Sequence, residues 1–190
     1  MRFRLNKTIY ILAILICVLS TLSGQESIQN LNASFISDAI LLDGKLDEAS
    51  WKSAEEGGNF WQFFPTDSIR AKYPTTFKIL YSETTLYVGI RAESIDGNYV
   101  VSSLRRDFDG TSNDNVSLLF DTFNDGTTAY FFGVTPYGVR REGLVTSGGT
   151  EFNNTWDIKW LAEAQRYEDH YTVEIAIPFT SLKFIEGAAS

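Results

Sequence analysis

Apolar and polar residues alternate along several short segments of the chain, and this alternation predicts β-strands. In YTVEIAIPF, Val173, Ile175 and Ile177 share one face. The residues between them share the other face, namely Thr172, Glu174 and Ala176. A period of two predicts a strand that buries one face and leaves the other solvated. LYVGIRA and NVSLLFDTF alternate in the same way.

The strand signals recur along the chain, each bounded by Gly, Asn, Asp or Ser. They cover residues 39–42, 75–81, 86–92, 115–122, 128–135 and 171–177. Asn124, Asp125 and Gly126 lie between two of these segments and predict a hairpin turn. No segment shows a sustained helical stripe, and the one predicted helical turn lies in KLDEASW. The predicted fold class is therefore all-β, a sandwich of two sheets.

The amino-terminal residues predict an export signal. Arg2, Arg4 and Lys7 precede an apolar run over residues 9–19, and small residues follow it. This order is typical of a secretory signal peptide, and the run is shorter than the roughly 20 residues of a membrane span. We expect a signal peptide over 1–24, an extended arm over 25–38 and the sandwich over 39–190. An uncleaved membrane anchor is the alternative, and export predicts the periplasm, the outer membrane or the extracellular space.

Composition narrows the classes of function. A chain of 190 residues fits one domain, and 14% aromatic residues supply a core. Cys17 lies in the predicted signal peptide, so the mature chain is expected to have neither disulfides nor thiolate metal sites. The formal charge is -8 and becomes more negative once the basic leader is lost. Such a surface repels phosphate backbones and argues against nucleic acid as a partner.

The stretch LDGKLDEASW is predicted to be structural. Asp43 and Gly44 predict a tight turn. Leu46 and Ala49 are expected to point inward, and Trp51 is expected to plug the end of the sandwich with a buried ring.

Five segments carry a family resemblance. In chain order they are LDGKLDEASW, SETTLYVGIRAES, DNVSLLFDTFNDGTTAYFFGVTPYGVRREGLV, NTWDIKW and YTVEIAIPFTSLKF. Together they resemble the carbohydrate-binding module family 9-like domain, in the version found at the amino-terminal end of large secreted or outer-membrane bacterial proteins. The resemblance implies a jelly-roll β-sandwich without catalytic activity. Relatives continue into at least one more strand, so we expect this sandwich to lack its last strand and to offer an edge for self-association.

In well-studied members of the family, two tryptophans grip the sugar. The first of these positions falls near Gly110, Thr111 and Ser112 of this sequence. Ser117 occupies the place of a ligand-binding carboxylate, and Gly133 lies near that of a binding arginine. The resemblance therefore implies the fold, whereas the gripping pocket is not carried over.

Other residues are the candidates for a sugar site. Sugars stack their C–H faces on exposed aromatic rings while polar side chains bind their hydroxyls. Trp156 and Trp160, with Asn154 beside them and Arg91 on another strand, are the predicted ligand face. The alternative is that both tryptophan rings fill the core under a loop.

An acidic loop suggests a second, metal-binding possibility. Asp107, Asp109 and Asp114 place carboxylate oxygens at short intervals, and such oxygens suit Ca²⁺. The run lacks the spacing and closing glutamate of a calcium loop, so a solvated turn network is the alternative.

The function predicted from these observations is noncatalytic carbohydrate binding by a secreted or cell-envelope protein that takes part in polysaccharide binding or catabolism. One alternative is a docking domain for the remainder of a larger envelope protein, such as an outer-membrane β-barrel, without a sugar site. Another is a part of a glycoside hydrolase. Haem is not expected, because His170 is the only axial ligand left in the mature chain.

Overall fold

The computed structural model describes residues 30–183, and those from Leu31 onward belong to one compact unit. The predicted signal peptide and residues 25–29 of the predicted arm lie outside the described residues. The strands are β1 Ser34–Phe35, β2 Glu56–Gly57, β3 Thr75–Tyr81, β4 Thr85–Glu93, β5 Val116–Phe120, β6 Ala129–Val134, β7 Arg140–Thr146, β8 Glu151–Asn153, β9 Leu161–Arg166 and β10 His170–Pro178. The helix α1 spans Ala49–Ser53, and no helix among residues 30–183 has the length and apolarity of a membrane span.

The strands form two sheets. The large sheet has the order β1-β3-β4-β10-β9, with β2 also paired to β3, and the small sheet has the order β5-β6-β7-β8. All pairs are antiparallel except β1 with β3. The prediction of an all-β sandwich is confirmed. The expected absence of a last strand concerns the chain beyond residue 183, which lies outside the described residues.

The core lies between the two sheets. Val173, Ile175 and Ile177 of β10 are fully buried, as are Phe132 and Val134 of β6. They belong to one apolar cluster. Burying each such side chain contributes about 1.5–3 kcal/mol relative to leaving it exposed, so this cluster is the main stabilising element of the domain.

A third layer covers the outer face of the large sheet. Thr172, Glu174 and Ala176 of β10 are all buried, so the predicted solvated face of this strand was wrong. The cover is residues 36–54, which we call the strap. Its side chains Ile36 and Trp51, with others, form a second apolar cluster.

Trp51 anchors the strap above the middle of β4 and β10. Gly89 of β4 pairs with Glu174 of β10, and a Cβ atom on Gly89 would lie 3.0 Å from the Trp51 ring. The glycine therefore leaves room for the ring. Trp51 is buried as predicted, but it lies on the outer face of the large sheet rather than at the end of the sandwich, and Ala49 is exposed rather than inward.

Five of the six predicted strands are present, and the segment 75–81 has the predicted bounds. Residues 39–42 form no strand, because they run in the strap, where Ile40 packs on the second cluster. Strand β7 was not predicted, because it begins with three consecutive charged residues that interrupt the alternation, Arg140, Arg141 and Glu142. The segment LAEAQR of β9 has a helix-like composition and becomes a strand only by pairing with β10.

Candidate functional site

A cleft of about 490 Å³ opens at one end of the sandwich. Its walls come from the start of β3, the end of β4 with the following loop, and the starts of β5 and β10. Tyr73, Tyr99 and Tyr171 line it, and we call it the tyrosine cleft. Antiparallel neighbours bring the end of one strand beside the start of the next, and this is why residues so distant in sequence meet here.

The aromatic part of the cleft is a set of tyrosine rings at different depths. The Tyr99 and Tyr171 rings meet edge to face with centroids 5.3 Å apart. Burial raises the pKa of Tyr171 above its ordinary value of 10.0, so its hydroxyl stays protonated. Tyr73 is partly exposed at the rim. The cleft therefore combines a fixed aromatic floor with an accessible ring.

Two hydroxyl groups of the cleft are unsatisfied. The Tyr99 Oη and Ser94 Oγ atoms are buried and have no hydrogen-bond partner within residues 30–183. A buried hydroxyl without a partner costs about 1–3 kcal/mol, so a side-chain movement that opens these atoms to the cleft is favoured when water or a polar ligand pairs with them.

Other polar side chains of the cleft are held in place. The Asp114 Oδ2 atom accepts a hydrogen bond of 2.8 Å from the Val100 N–H group. The Asn115 Nδ2 atom donates to the carbonyls of Gly110 and Asn113 at 3.1 and 2.8 Å. Side chains fixed in this way lose little entropy when a ligand binds. The arrangement suits a neutral polyhydroxylated ligand with an apolar face.

The predicted tryptophan pair lies against the interior. Trp160 is only 2% exposed and packs edge to face on Phe132, with ring centroids 5.0 Å apart. Trp156 is half-buried, and its ring centroid lies 5.0 Å from that of Tyr130. The alternative, that the rings fill the core, describes Trp160, whereas Trp156 packs against the core and stays partly exposed. The expectation of two exposed stacking rings is corrected, because apolar burial outweighs exposure at this loop.

The other two predicted residues lie apart from this pair. Asn154 is exposed in the loop after β8. Arg91 is on the outer face of the large sheet, where its Nη2 atom lies 2.8 Å from Glu93 Oε1. It lines a separate groove of about 300 Å³, in which the Tyr167 and His170 rings stack 4.3 Å apart. The four residues do not line one site, and a ligand role for Asn154 or Arg91 stays a prediction.

Ser117 and Gly133, which the family resemblance compares with sugar-binding positions, pair with each other across β5 and β6. Here the Arg141 guanidinium lies 5.3 Å from the Phe131 ring centroid and 4.5 Å from that of Phe152. A Cβ atom on Gly110 would lie 2.5 Å from Arg141 Nη1. The two rings meet edge to face with centroids 5.2 Å apart, and the arginine packs over both of them.

The predicted calcium residues are not gathered into one cluster of metal ligands. No group of three or more acidic or histidine side chains suited to a metal occurs within residues 30–183. Thr111 donates to Asp109 from its backbone N–H and its hydroxyl, and these bonds hold the pKa of Asp109 below its ordinary value. Asp114 is used by Val100, and Asp107 has a left-handed backbone with φ 61°. Turn hydrogen bonds therefore hold this loop, and a calcium role for these residues stays a prediction.

Sequence reasoning missed the tyrosine cleft, although a signal was present. Tyr73 comes just before β3, Asn98 and Tyr99 follow β4, and Tyr171 begins β10. Aromatic and amide residues at strand ends are typical of a binding site that a rigid sheet positions through its loops.

The fold and the cleft together define an all-β binding module with a small polar and aromatic cleft. The model of the family "Carbohydrate family 9 binding domain-like" matches residues 42–189, and the chain belongs to this family. No curated protein sequence matches the chain.

Solved structures show the same fold at low sequence identity. A family 9 carbohydrate-binding module from Caldicellulosiruptor kristjanssonii in complex with glucose is 18% identical, with a TM-score of 0.57, over 82% of this chain and 71% of that one. The cellotriose complex of a family 9 module from the same organism is 16% identical, with a TM-score of 0.52, over 77% of this chain and 67% of that one. A Bacteroides uniformis ATCC 8492 protein is 11% identical, with a TM-score of 0.56, over 84% of this chain and 76% of that one.

Proposed function

We propose that this chain is a noncatalytic carbohydrate-binding domain of an exported cell-envelope protein and that the tyrosine cleft holds the sugar. The observation that carries the proposal is the cleft itself, in which tyrosine rings lie beside unpartnered hydroxyls in a family 9 fold. The glucose and cellotriose complexes of the C. kristjanssonii modules support a glycan as the ligand class.

The proposed binding mode follows from the chemistry of the walls. The Tyr73 ring stacks on the C–H face of a pyranose, and the Tyr99 and Ser94 hydroxyls exchange hydrogen bonds with its hydroxyl groups after their side chains move to open these buried atoms to the cleft. Asp114 accepts from a further hydroxyl through the oxygen that Val100 does not use. The role is to hold a glycan, and any hydrolytic activity belongs to other parts of a longer protein.

Two partner proposals accompany this function. Strand β5 is an edge of the small sheet as far as the described chain extends, so its backbone groups can pair with a second copy or with the remainder of a larger envelope protein. Cell fractionation with sequencing of the mature amino terminus tests the export on which the envelope location depends. A chain that keeps its first 24 residues in the cytoplasm would overturn that location.

Titration calorimetry with glucose and cellotriose tests the sugar site. Tyr73→Ala is expected to abolish measurable binding, because it removes the stacking ring. Tyr81→Ala is the matched control, since Tyr81 lies at the opposite end of β3 with 37% exposure against 38% for Tyr73.

Tyr99→Phe removes only the unpartnered hydroxyl. We expect it to weaken binding about two- to tenfold, the value of one hydrogen bond, with stability unchanged or raised. Equal affinity for the wild type and both cleft variants, or no binding by any of them across a glycan array, would overturn the assignment of the cleft.

A further inference from the structure

The most exposed apolar residues of the described chain lie together between β2 and β3. Residues 58–73 form a projection that we call the aromatic hairpin. Phe63 is 94% exposed and Phe64 is 82% exposed, and Trp61 and Ile69 are exposed beside them. Large exposed aromatic side chains in contiguous positions mark an interaction site rather than ordinary surface.

The hairpin is an ordered element. The Gln62 N–H donates to Ile69 O and the Ala71 N–H donates to Phe60 O, each at 3.0 Å, and Trp61 forms a bridge with Arg70. The Arg70 guanidinium lies 3.9 Å above the Trp61 ring. The Gln62 side chain donates to the carbonyl of Phe64 at 2.5 Å. These contacts brace the tip while its two phenyl groups stay in solvent.

The charge of the hairpin differs from that of the protein. Residues 58–73 contain Arg70 and Lys72 against the single acid Asp67, whereas the whole chain has a formal charge of -8. Two bases beside a protruding aromatic tip complement a surface with phosphate groups above an apolar layer. A helical peptide partner would instead need a hydrophobic groove, whereas this element is a protruding tip.

We propose that the aromatic hairpin is a membrane-contacting tip. Phe63 and Phe64 enter the boundary between lipid headgroups and acyl chains, and Trp61 lies at the interface. Lys72 and Arg70 lie at the phosphates. Two phenyl groups supply a weak, reversible attachment, because stable anchoring takes more than one such signal. This inference is argued from the exposure and charge of the hairpin, whose last residue, Tyr73, also lines the tyrosine cleft with Lys72 Nζ 5.1 Å from its ring centroid.

Flotation with lipid vesicles tests the proposal. The chain from Gln25 is used, because the apolar run of residues 9–19 would itself bind lipid and because Leu31–Ser190 is a compact unit. Vesicles are phosphatidylcholine alone or with one third phosphatidylglycerol. We expect binding that is stronger to the anionic vesicles and decreases with salt.

Variants separate the two contributions. Phe63→Ala with Phe64→Ala is expected to lower the partition coefficient at least about tenfold, since part of two phenyl groups leaves the lipid. Lys72→Ala is expected to lower it about fivefold on anionic vesicles only. Leu41→Ala is the matched control, because Leu41 is 70% exposed in the strap, and it should bind like the wild type.

Three results would overturn the proposal. The first is that the wild type does not bind vesicles, and the second is that the double substitution leaves vesicle binding unchanged. The third is that the wild type binds an insoluble glycan or a protein instead of vesicles and that the double variant loses this binding. Circular dichroism confirms that each variant is folded, which the exposure of both phenyl groups leads us to expect.

Discussion

The hydrogen bond between Trp51 and Glu174 gives a prediction that the structure makes quantitative. Glu174 is 0% exposed, and its Oε2 atom accepts from the Asp43 and Gly44 N–H groups at 2.9 and 2.8 Å. Its Oε1 atom accepts from Trp51 Nε1 at 2.9 Å. Trp51→Phe keeps an aromatic ring but removes the last of these donors, and a hydrogen bond to a charged group contributes about 1.5–3 kcal/mol.

The matched control is Trp160→Phe. Trp160 is also a buried tryptophan, but its Nε1 atom has no partner within residues 30–183. Both substitutions replace a buried indole by a phenyl ring, but Trp160→Phe also relieves an unpartnered N–H, so the difference between their losses is an upper limit for the bond to Glu174. We expect Trp51→Phe to reduce the free energy of unfolding at pH 7 by about 1.5–3 kcal/mol more than Trp160→Phe does.

The pH dependence follows from the pKa of Glu174. Burial raises this pKa above its ordinary value of 4.5, and the hydrogen bonds from Trp51, Asp43 and Gly44 oppose the shift. The folded state therefore binds more protons than the unfolded state above pH 4.5, and stability falls as pH rises from 4.5 through the raised folded value. Trp51→Phe removes a group that lowers the pKa, so this fall should become larger.

Urea denaturation of both variants at several pH values between 4 and 8 measures the effect. The gap between Trp51→Phe and Trp160→Phe should shrink toward pH 4, where Glu174 becomes protonated in the folded state. Equal losses in the two variants at pH 7, or a gap that does not change with pH, would refute the reasoning.

Two further predictions concern packing and a buried ion pair. Gly89→Ala would place a Cβ atom 2.7 Å from Leu46 Cδ2 and 3.0 Å from the Trp51 ring, so we expect a loss of about 1–3 kcal/mol in thermal denaturation, and an unchanged melting temperature would contradict the strap packing. Arg106 pairs with Glu142, which is buried, and with Asp157, which is exposed. Arg106→Ala should cost up to about 3 kcal/mol because it leaves a buried carboxylate unpaired, whereas Asp157→Ala should cost less than about 1 kcal/mol in the same urea assay. Equal costs would show that Glu142 is not stabilised by the arginine.

The sequence predicted those strands in which the alternation of side chains matches the burial of their two faces. Strand β5 shows this, since Val116, Leu118 and Phe120 pack on the core and Ser117 and Leu119 point to solvent, as the alternation indicates. The alternation fails as a signal where a segment distant in sequence buries a polar side chain. Glu174 has the polarity of a solvated position, yet it is buried because the strap, about 130 residues earlier, supplies three donors.

The binding residues were harder to predict for a related reason. Trp156 and Trp160 attract attention because exposed tryptophan suits sugars, but the type of a residue does not reveal its burial. The tyrosine cleft depends on which strand ends are neighbours, and only the register of β4 with β3 and β10 places Tyr73, Tyr99 and Tyr171 together. A resemblance to a family supplied the topology, whereas the side chains that line the cleft required coordinates.

The strap also sets an order for maturation of the chain. Trp51 leaves the ribosome more than 100 residues before Glu174, because the two partners are 123 residues apart in sequence. During that interval its indole ring has no site to occupy, and long-range contacts of this kind form slowly. A nascent chain of this protein therefore exposes an apolar, aggregation-prone amino-terminal segment until β10 has been synthesised. Chaperones that bind apolar segments would bind there.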